Sequence, residues 1–548
     1  MVIKTILKNG SKIFSRRQSS IFSAATTLAA AFGLSAVLGI LRDRLLYARF
    51  YACCPAQLDA YNGAFRIPDI IFRLLVVGAL SAAFIPVFSE QLLRNKKEAY
   101  KTASAVINIL LLIALPLVVL AAIFSYPLSF LVASGFSPEQ IYLMSQLTRI
   151  MLFSQLFFLL SSFLTGILQS HQRFLLPALA PIVYNLGIIA GIQFLSPRLG
   201  IFGPAIGVVV GAACHFVIQL PLVIYLGFEY SPLASFQLQG VKKILRLMFP
   251  RTLALGLGEI EATVALFLAS TLPAGSLSLF YLGQHLTQFF SRIFGTTIGQ
   301  ASLPVLSKEA SNSNLKLFDK ILFGSLLQAL YLAIPTTLIL LVLRIPIVRL
   351  AYGAEKFPWR ATVITGKMVA FFAPAVITNT IVSILVRGFY ALQDTKTPLI
   401  VSFVSLIISV FTALLAIFRF NLGIQGLILA IVLGGISQAL MLMFLLLGRV
   451  KMKSDLKLPV LKMFASGLFA GLVAWLLMKG LDFYIFDSTR MVGLLGLTGI
   501  SLIGAVSVYL IFTLIFNLKE ARAVFSLIKQ LVTWPKSAPP LVELPPLD

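Results

Sequence analysis

The chain is written mostly in apolar runs. From residue 20 onward, stretches such as ALPLVVLAAIF and LIVSFVSLIISVF follow one another with short polar joints between them. Most reach, or nearly reach, the about 18–20 residues needed to cross a bilayer. Hydropathy places about fourteen spans, near 20–41, 60–88, 103–124, 142–168, 176–195, 201–226, 246–270, 279–303, 318–343, 362–391, 398–418, 423–447, 459–479 and 491–516. Runs this long and uniform are not barrel strands. In lipid, a helix satisfies its own backbone, so the pattern predicts an all-α polytopic membrane protein. Composition agrees: of 548 residues, 59% are hydrophobic and 11% charged, too little polar surface for a soluble protein of this length.

Basic residues set the expected orientation. Lys4, Lys8, Lys12, Arg16 and Arg17 precede the first span, Arg94, Lys96, Lys97 and Lys101 follow the second, and Lys519, Arg522 and Lys529 sit in the tail. The joints SYPLSFLVASGFSP and TLPAGSLS carry no charge. The positive-inside rule therefore predicts both termini in the cytoplasm. MVIKTILKNGSKIFSRR has the look of a signal-peptide n-region, but no A-x-A-like site follows the first span, so 1–19 reads as an uncleaved lead. Arg42, Arg44 and Arg49, and the cluster from Arg344 to Arg360, fall on the other side and ask for a functional reason.

A net charge of +25 fits cytoplasmic loops facing anionic lipid, and no nucleic-acid module is legible. Cys53, Cys54 and Cys214 make no disulfide framework, and His171, His215 and His285 are too scattered for a metal site.

The chain repeats itself. AAFIPVFSEQ at 83–92 returns as ASLPVLSKEA at 301–310, GILQSHQRFLLPALAP at 166–181 as GFYALQDTKTPLIVSF at 388–403, and LGIFGPAIGVVVG from Leu199 as LGIQGLILAIVLG from Leu422. The offsets cluster at about 220 residues, six spans, an even number that preserves orientation. The expected organisation is two parallel six-helix lobes, 20–226 and 246–447, joined by a cytoplasmic linker 227–245. Two extra helices in 448–516 and a cytoplasmic tail 517–548 follow. Transporters built this way hold their site between the lobes near mid-membrane.

Charges threaded through the spans carry the candidate chemistry. In DAYNGAFRIPDIIFRLLVVG, Asp59, Arg66 and Arg73 are seven apart and Asp69 is three beyond Arg66, so one continuous helix would place all four on one stripe. Each charge left to lipid at the bilayer centre costs about 2.5–3.5 kcal/mol on insertion scales, so the stripe must face protein or water. A self-neutralised structural stripe is the plain alternative. Arg42 and Asp43 end the first span, Arg149 lies in the fourth, Arg251 opens the seventh, Arg292 is in the eighth, and Lys367 and Arg387 are in the tenth. In-span acids are fewer, chiefly Glu259 and Glu261, which two-residue spacing sends to roughly opposite sides of a helix. An excess of arginine suits an anionic ligand, because a guanidinium fork gives phosphate two hydrogen bonds at once.

SAVLGILRDRLLYARF, LDAYNGAFRIPDIIFRLLVVGALSAAFIPVFSE, HQRFLLPALAPIVYN and GFYALQDTKTP resemble the signature segments of the MurJ/MviN family of lipid II flippases, within the multidrug/oligosaccharidyl-lipid/polysaccharide exporter superfamily. The likeness runs over nearly the whole chain. It implies a bacterial inner-membrane protein that moves the undecaprenyl-pyrophosphate-linked peptidoglycan precursor, lipid II, from the cytoplasmic to the periplasmic leaflet. It also implies a cationic cavity, a lipid-tail groove on the last two helices, and the peptidoglycan synthesis machinery as a possible partner. Arg42 and Asp43 match the family's LGxxRD pair, whose arginine is a cavity ligand; Asp59, Arg73 and Glu90 match further charged positions. Ala36 stands where many members have arginine, Phe72 replaces an arginine, Val77 replaces an acid, and His285 occupies the place of an arginine in the eighth helix.

The expectation is a flippase and not an enzyme, working by alternating access without a cofactor. Arg42 and His285 would bind pyrophosphate, with Asp43 orienting Arg42. Asp59, Arg66, Asp69 and Arg73 would line the cavity, and Arg66, Arg251 or Arg292 would compensate the lost cations. With no GxxxxGK[ST] loop for ATP, energy would come from the membrane potential or a coupled Na+ or H+, for which Glu259, Glu261 and Asp394 are candidates. A related exporter of drugs or of another polyprenyl-linked glycan is the alternative. A membrane enzyme acting on the same lipid ranks lower for want of clustered acids, and a channel for want of a filter-like loop.

Overall fold

The apolar runs fold as long helices, and breaks between them fall where proline, glycine or charge interrupts a run. The computed structural model describes residues 21–77, 83–232, 234–312, 314–353, 357–450 and 456–522, and no strand occurs among them. The lead 1–19 and the last part of the tail lie outside the described residues. The chain divides into two compact units at Gly275 and Ser276.

The first unit holds α1 (Ile21–Phe50), α2 (Pro55–Ala64), α3 (Arg66–Phe72), a π-helical turn (Arg73–Val77), α4 (Ile85–Arg94), α5 (Lys96–Ile123), α6 (Ser125–Val132), α7 (Pro138–Ser170), α8 (Leu175–Ala190), a second π-turn (Gly191–Leu195), α9 (Ser196–Leu199), α10 (Phe202–Val217), α11 (Leu220–Tyr225) and α12 (Gln239–Ser270). Its starts are capped as the sequence suggests. Asn95 accepts the Lys97 and Glu98 N–H groups at the head of α5, and Ser137 with Gln140 forms a reciprocal capping box on α7. α7 is the hub, packing on α2, α3, α5 and α10. Phe84, Phe88 and Phe163 form the aromatic centre of this core. Small residues let α8 and α10 touch backbone to backbone: Gly203, Gly207 and Gly211, four apart, face Gly187 and Gly191. A Cβ on Gly187 would stand 2.4 Å from Gly211 Cα.

The second unit holds α13 (Ser276–Ser291), a π-turn (Arg292–Thr296), α14 (Thr297–Ser311), α15 (Leu315–Tyr352), α16 (Trp359–Ala391), α17 (Lys396–Leu414), a π-turn (Leu415–Arg419), α18 (Gly423–Val450), α19 (Lys457–Tyr484) and α20 (Met491–Ile515). α15 packs on α16 and α19, and α19 on α20. Tyr509 on α20 donates to the Tyr331 carbonyl at 2.9 Å, and the Tyr331 and Thr513 hydroxyls meet at 3.0 Å, so the last helix is tied to α15 by polar contacts within an apolar core.

Ten helices among the described residues are long and apolar enough to cross a membrane. The other expected spans fall on α1, on the broken run α2–α4, on α12 and on the broken pair α13–α14. Those four carry most of the singled-out charges; Arg149 lies on α7, Lys367 and Arg387 on α16, and Asp394 in the turn before α17. α12, expected at the head of the second lobe, packs on α4, α5, α6 and the first π-turn.

The internal repeat is visible in backbone detail. The π-turns at Arg73–Val77 and Gly191–Leu195 recur at Arg292–Thr296 and Leu415–Arg419, again at an offset of about 220 residues. Gln172 and Gln393, both with positive φ, make matching left-handed turns, each two residues past the end of its helix. A wide turn inserted twice at the same register marks a position where each half is built to bend.

Candidate functional site: shared carboxylates in the first unit

Pro68 determines the first break. It lacks an N–H for the carbonyl four residues back, Ala64, and its ring crowds that group. α2 stops at Ala64, and α3 begins at Arg66. The released Ala64 carbonyl accepts a hydrogen bond from Thr148 on α7 at 3.3 Å, so it is not left orphaned in a medium without water. The second break is the π-turn opening at Arg73, where Thr252 of α12 donates to the Leu74 carbonyl at 3.1 Å. The stripe expected on one continuous helix is therefore distributed over α2, α3 and a π-turn. The cause is a proline and an inserted residue that charge spacing does not register.

The break turns Arg66 toward α12. Its Nη2 donates to the Glu259 carboxylate and, at 2.8 Å, to the Glu259 carbonyl, while Nε donates to Thr263 Oγ1 at 2.9 Å. Thr263 in turn donates to the Glu259 carbonyl at 2.7 Å. Arg73 reaches the other carboxylate oxygen, with Nε 3.5 Å from Oε1. One carboxylate is shared by two guanidiniums of unlike setting: Arg66 and Glu259 are each 8% exposed, Arg73 53%. Asp69 lies within electrostatic reach of Arg73, Arg66 and Glu259, so the group joins two guanidiniums and two carboxyl side chains. Glu261, two residues on, is exposed, as the spacing implied.

Arg42 is held on α1 by Asp43 and by α8. Its Nε and Nη2 both donate to Asp43 Oδ1, at 2.9 and 2.7 Å, and Nη1 donates to Asn185 Oδ1 at 3.1 Å. Asn185 is fixed by its own donation to the Ser35 carbonyl and hydroxyl, both at 3.3 Å. Asp59, buried on α2, accepts the Gly275 N–H at 2.5 Å. Arg251 lies in α12, and its side chain is outside the described residues.

In the second unit His285 is exposed on α13, its ring 6.2 Å from that of Tyr281. Arg292 opens the π-turn and donates to Gln288 Oε1 at 3.1 Å. Asp394 is engaged in the turn before α17: Oδ1 accepts the Lys396 and Thr397 N–H groups at 3.0 Å, and Oδ2 the Thr397 hydroxyl at 2.6 Å and Arg449 at 2.5 Å. Partial burial pushes its carboxyl up, but Thr397 and Arg449 outweigh that and hold it below the ordinary value.

Sequence reasoning missed Asn185, Thr148 and Thr263. Each is a polar residue in an apolar run. Nothing in its spacing separates it from the many hydroxyls and amides that helices accommodate by bonding to their own backbone. Arginine on both sides of a single carboxylate can hold an anion only by exchange. Arg66 is committed, whereas Arg73 is half-exposed and makes one long contact to Glu259.

The profile of the family described as "Lipid II flippase MurJ" matches residues 54–498, a stretch that begins after Arg42 and Asp43. The lipid II flippase MurJ of Burkholderia cenocepacia is 30% identical over 436 residues, covering 77% of this chain and 83% of that one. Among solved structures, a lipid II flippase MurJ in an inward closed conformation superposes with a TM-score of 0.74 at 28% identity, covering 89% and 98% of the two chains. An inward-facing multidrug resistance MATE family transporter of the MOP superfamily superposes at 0.63 with 15% identity, over 77% and 96%, a likeness of fold alone.

Proposed function

The chain belongs to the lipid II flippase MurJ family, and from that premise we propose that it carries lipid II from the cytoplasmic to the periplasmic leaflet of the bacterial inner membrane by alternating access. It is a transporter rather than a catalyst, and its surroundings are membrane lipids. In this reading both termini face the cytoplasm, the two repeats act as six-helix lobes, and α19 and α20 accommodate the lipid tail.

The observation that carries the reading is the Arg66–Glu259–Arg73 group. Buried charge is retained in a membrane protein where it meets substrate or switches partners, and Arg73 is the member with donors to spare. Arg42, steadied by Asp43 and Asn185, and His285 are the proposed pyrophosphate ligands, with Arg251 and Arg292 as further cations. Asp59 anchors the Gly275 backbone. Glu259 serves as the counter-charge that the substrate phosphate replaces at Arg73. Drive comes from the membrane potential or from Na+ or H+; Glu261, exposed on α12 and outside the arginine pair, fits a coupling role better than Asp394, which Arg449 and Thr397 already hold.

Accessibility of lipid II in vesicles containing only this protein tests the activity directly. Arg42→Ala and Arg73→Ala should each fail to support a flippase-depleted strain at normal membrane abundance. Full growth on Arg73→Ala removes the exchange at Glu259 from the mechanism.

A further inference from the structure

One apolar furrow of the first unit lies outside the proposed transport machinery. It measures about 420 Å³ and runs between α5 and α7, walled by Leu115, Val119, Ala122, Ile123, Phe153 and Leu156, and Arg149 lies at one end of it. The Arg149 Nε donates to Ser125 Oγ at 2.6 Å and to the Ala122 carbonyl at 3.2 Å, which fixes the guanidinium at the corner where α5 gives way to α6. Its two terminal nitrogens make no hydrogen bond, and no carboxylate pairs with it among the described residues. It is exposed, in a wall of apolar side chains.

Depth identifies what can answer that charge. Tyr142 on α7 and Tyr126 on α6 are 56% and 42% exposed, as aromatic residues at a headgroup level are. Tyr126 adjoins Ser125, whose hydroxyl accepts from Arg149 Nε, so the guanidinium is held within one residue of that level. From Ile123 back to Leu115 the furrow extends about 12 Å along α5. That is close to half of an about 30 Å hydrocarbon core, the depth of one leaflet.

We propose that this furrow seats an anionic phospholipid, its phosphate on the free edge of Arg149 and one acyl chain along α5 and α7, in the leaflet at the α5–α6 corner, periplasmic on the basic-loop reading. A guanidinium already tethered through Nε offers two parallel N–H groups to phosphate oxygens. A zwitterionic head would bring its own ammonium to compete for that phosphate, so a phosphatidylglycerol-type head is favoured. A protein helix docking here would bring apolar surface without the counter-charge.

Native mass spectrometry of the purified full-length chain, titrated with phosphatidylglycerol or phosphatidylethanolamine of identical chains, tests this. Phosphatidylglycerol should occupy one saturable site about five-fold more tightly, the worth of one basic residue at an anionic surface. Arg149→Gln should erase the preference, Arg149→Lys should keep part of it, and Val119→Trp, on a half-exposed wall position, should reduce retention of both lipids. Equal binding of the two heads by the natural chain, or an unchanged preference in Arg149→Gln, overturns the proposal. Tighter binding of undecaprenyl phosphate than of phosphatidylglycerol through Arg149 also overturns it, because the furrow would then belong to polyprenyl lipid.

Discussion

Glu259→Gln isolates the central electrostatic element. The substitution keeps size and a carbonyl acceptor but removes the charge that two arginines share. Arg66 is left buried with neutral acceptors alone: the Gln side-chain oxygen, the backbone carbonyl of residue 259 and the Thr263 hydroxyl. Removing one side of a buried ion pair costs about 3–5 kcal/mol, and a neutral isostere that still accepts a hydrogen bond falls at the low end, near about 3 kcal/mol. Arg66→Gln should cost a similar amount. In the double variant neither charge is left alone, so the two losses should overlap by about 2 kcal/mol. Arg73→Gln, half-exposed and 3.5 Å away, should cost under about 1 kcal/mol. The assay is reversible unfolding in mixed micelles by titration with a denaturing detergent, on the four proteins of the cycle plus Arg73→Gln. Additivity of the Glu259 and Arg66 losses within about 0.5 kcal/mol would refute the pairing as the element that holds α3 to α12.

The helix break gives a second measurement: Thr148→Val removes the donor to the Ala64 carbonyl and should cost about 1–3 kcal/mol in the same titration, with no change in apolar volume to blame. Gly187→Ala places a methyl 2.4 Å from Gly211 Cα and should force α8 and α10 apart, lowering the thermal midpoint by several degrees. Gly324→Ala, with nothing within 4 Å inside α15, should raise it slightly. Asp394, held below the ordinary carboxylate value, contributes stability that is complete above about pH 4 and is lost as pH falls through its lowered value. The thermal midpoints of the natural chain and Asp394→Asn should therefore differ by a constant amount from pH 7 to about 5 and converge only in stronger acid; convergence near neutrality would contradict the capping role.

Fold class was legible because hydropathy is a property of whole segments: α5, α15 and α20 need no partner to be recognised. The repeat was legible too, since turn residues such as Gln172 and Gln393 recur with the sequence around them. The partners of the charges were not. Spacing placed Asp59, Arg66, Asp69 and Arg73 on one face, but Pro68 and the π-turn at Arg73 re-aim the side chains after them. Glu259 is also nearly two hundred positions away along the chain, so no local pattern pairs it with Arg66. Asn185 shows the same limit from the other side. A lone amide in LLPALAPIVYN reads as ordinary until α8 packs on α1 and brings it to Arg42.

The pairing also bears on why charge in this bilayer-spanning unit is tolerable before any substrate arrives. Arg42 and Arg66 are each closed by a carboxylate of the same chain, which removes most of the insertion penalty while the site is empty. A phosphate that had to break either pair would gain little, trading one anion for another at a committed fork. Arg73 differs: its 3.5 Å contact to Glu259 can be given up while Arg66 continues to hold the same carboxylate and Asp69 stays within electrostatic reach of Arg73. Under the proposed exchange, an incoming anion at Arg73 would replace the weakest contact in the group and leave the buried pair intact. On that argument Arg73→Lys, which keeps the charge but loses the fork, should bind lipid II more weakly in a direct titration while unfolding like the natural chain. An affinity equal to that of the natural chain would mean that the phosphate is held elsewhere.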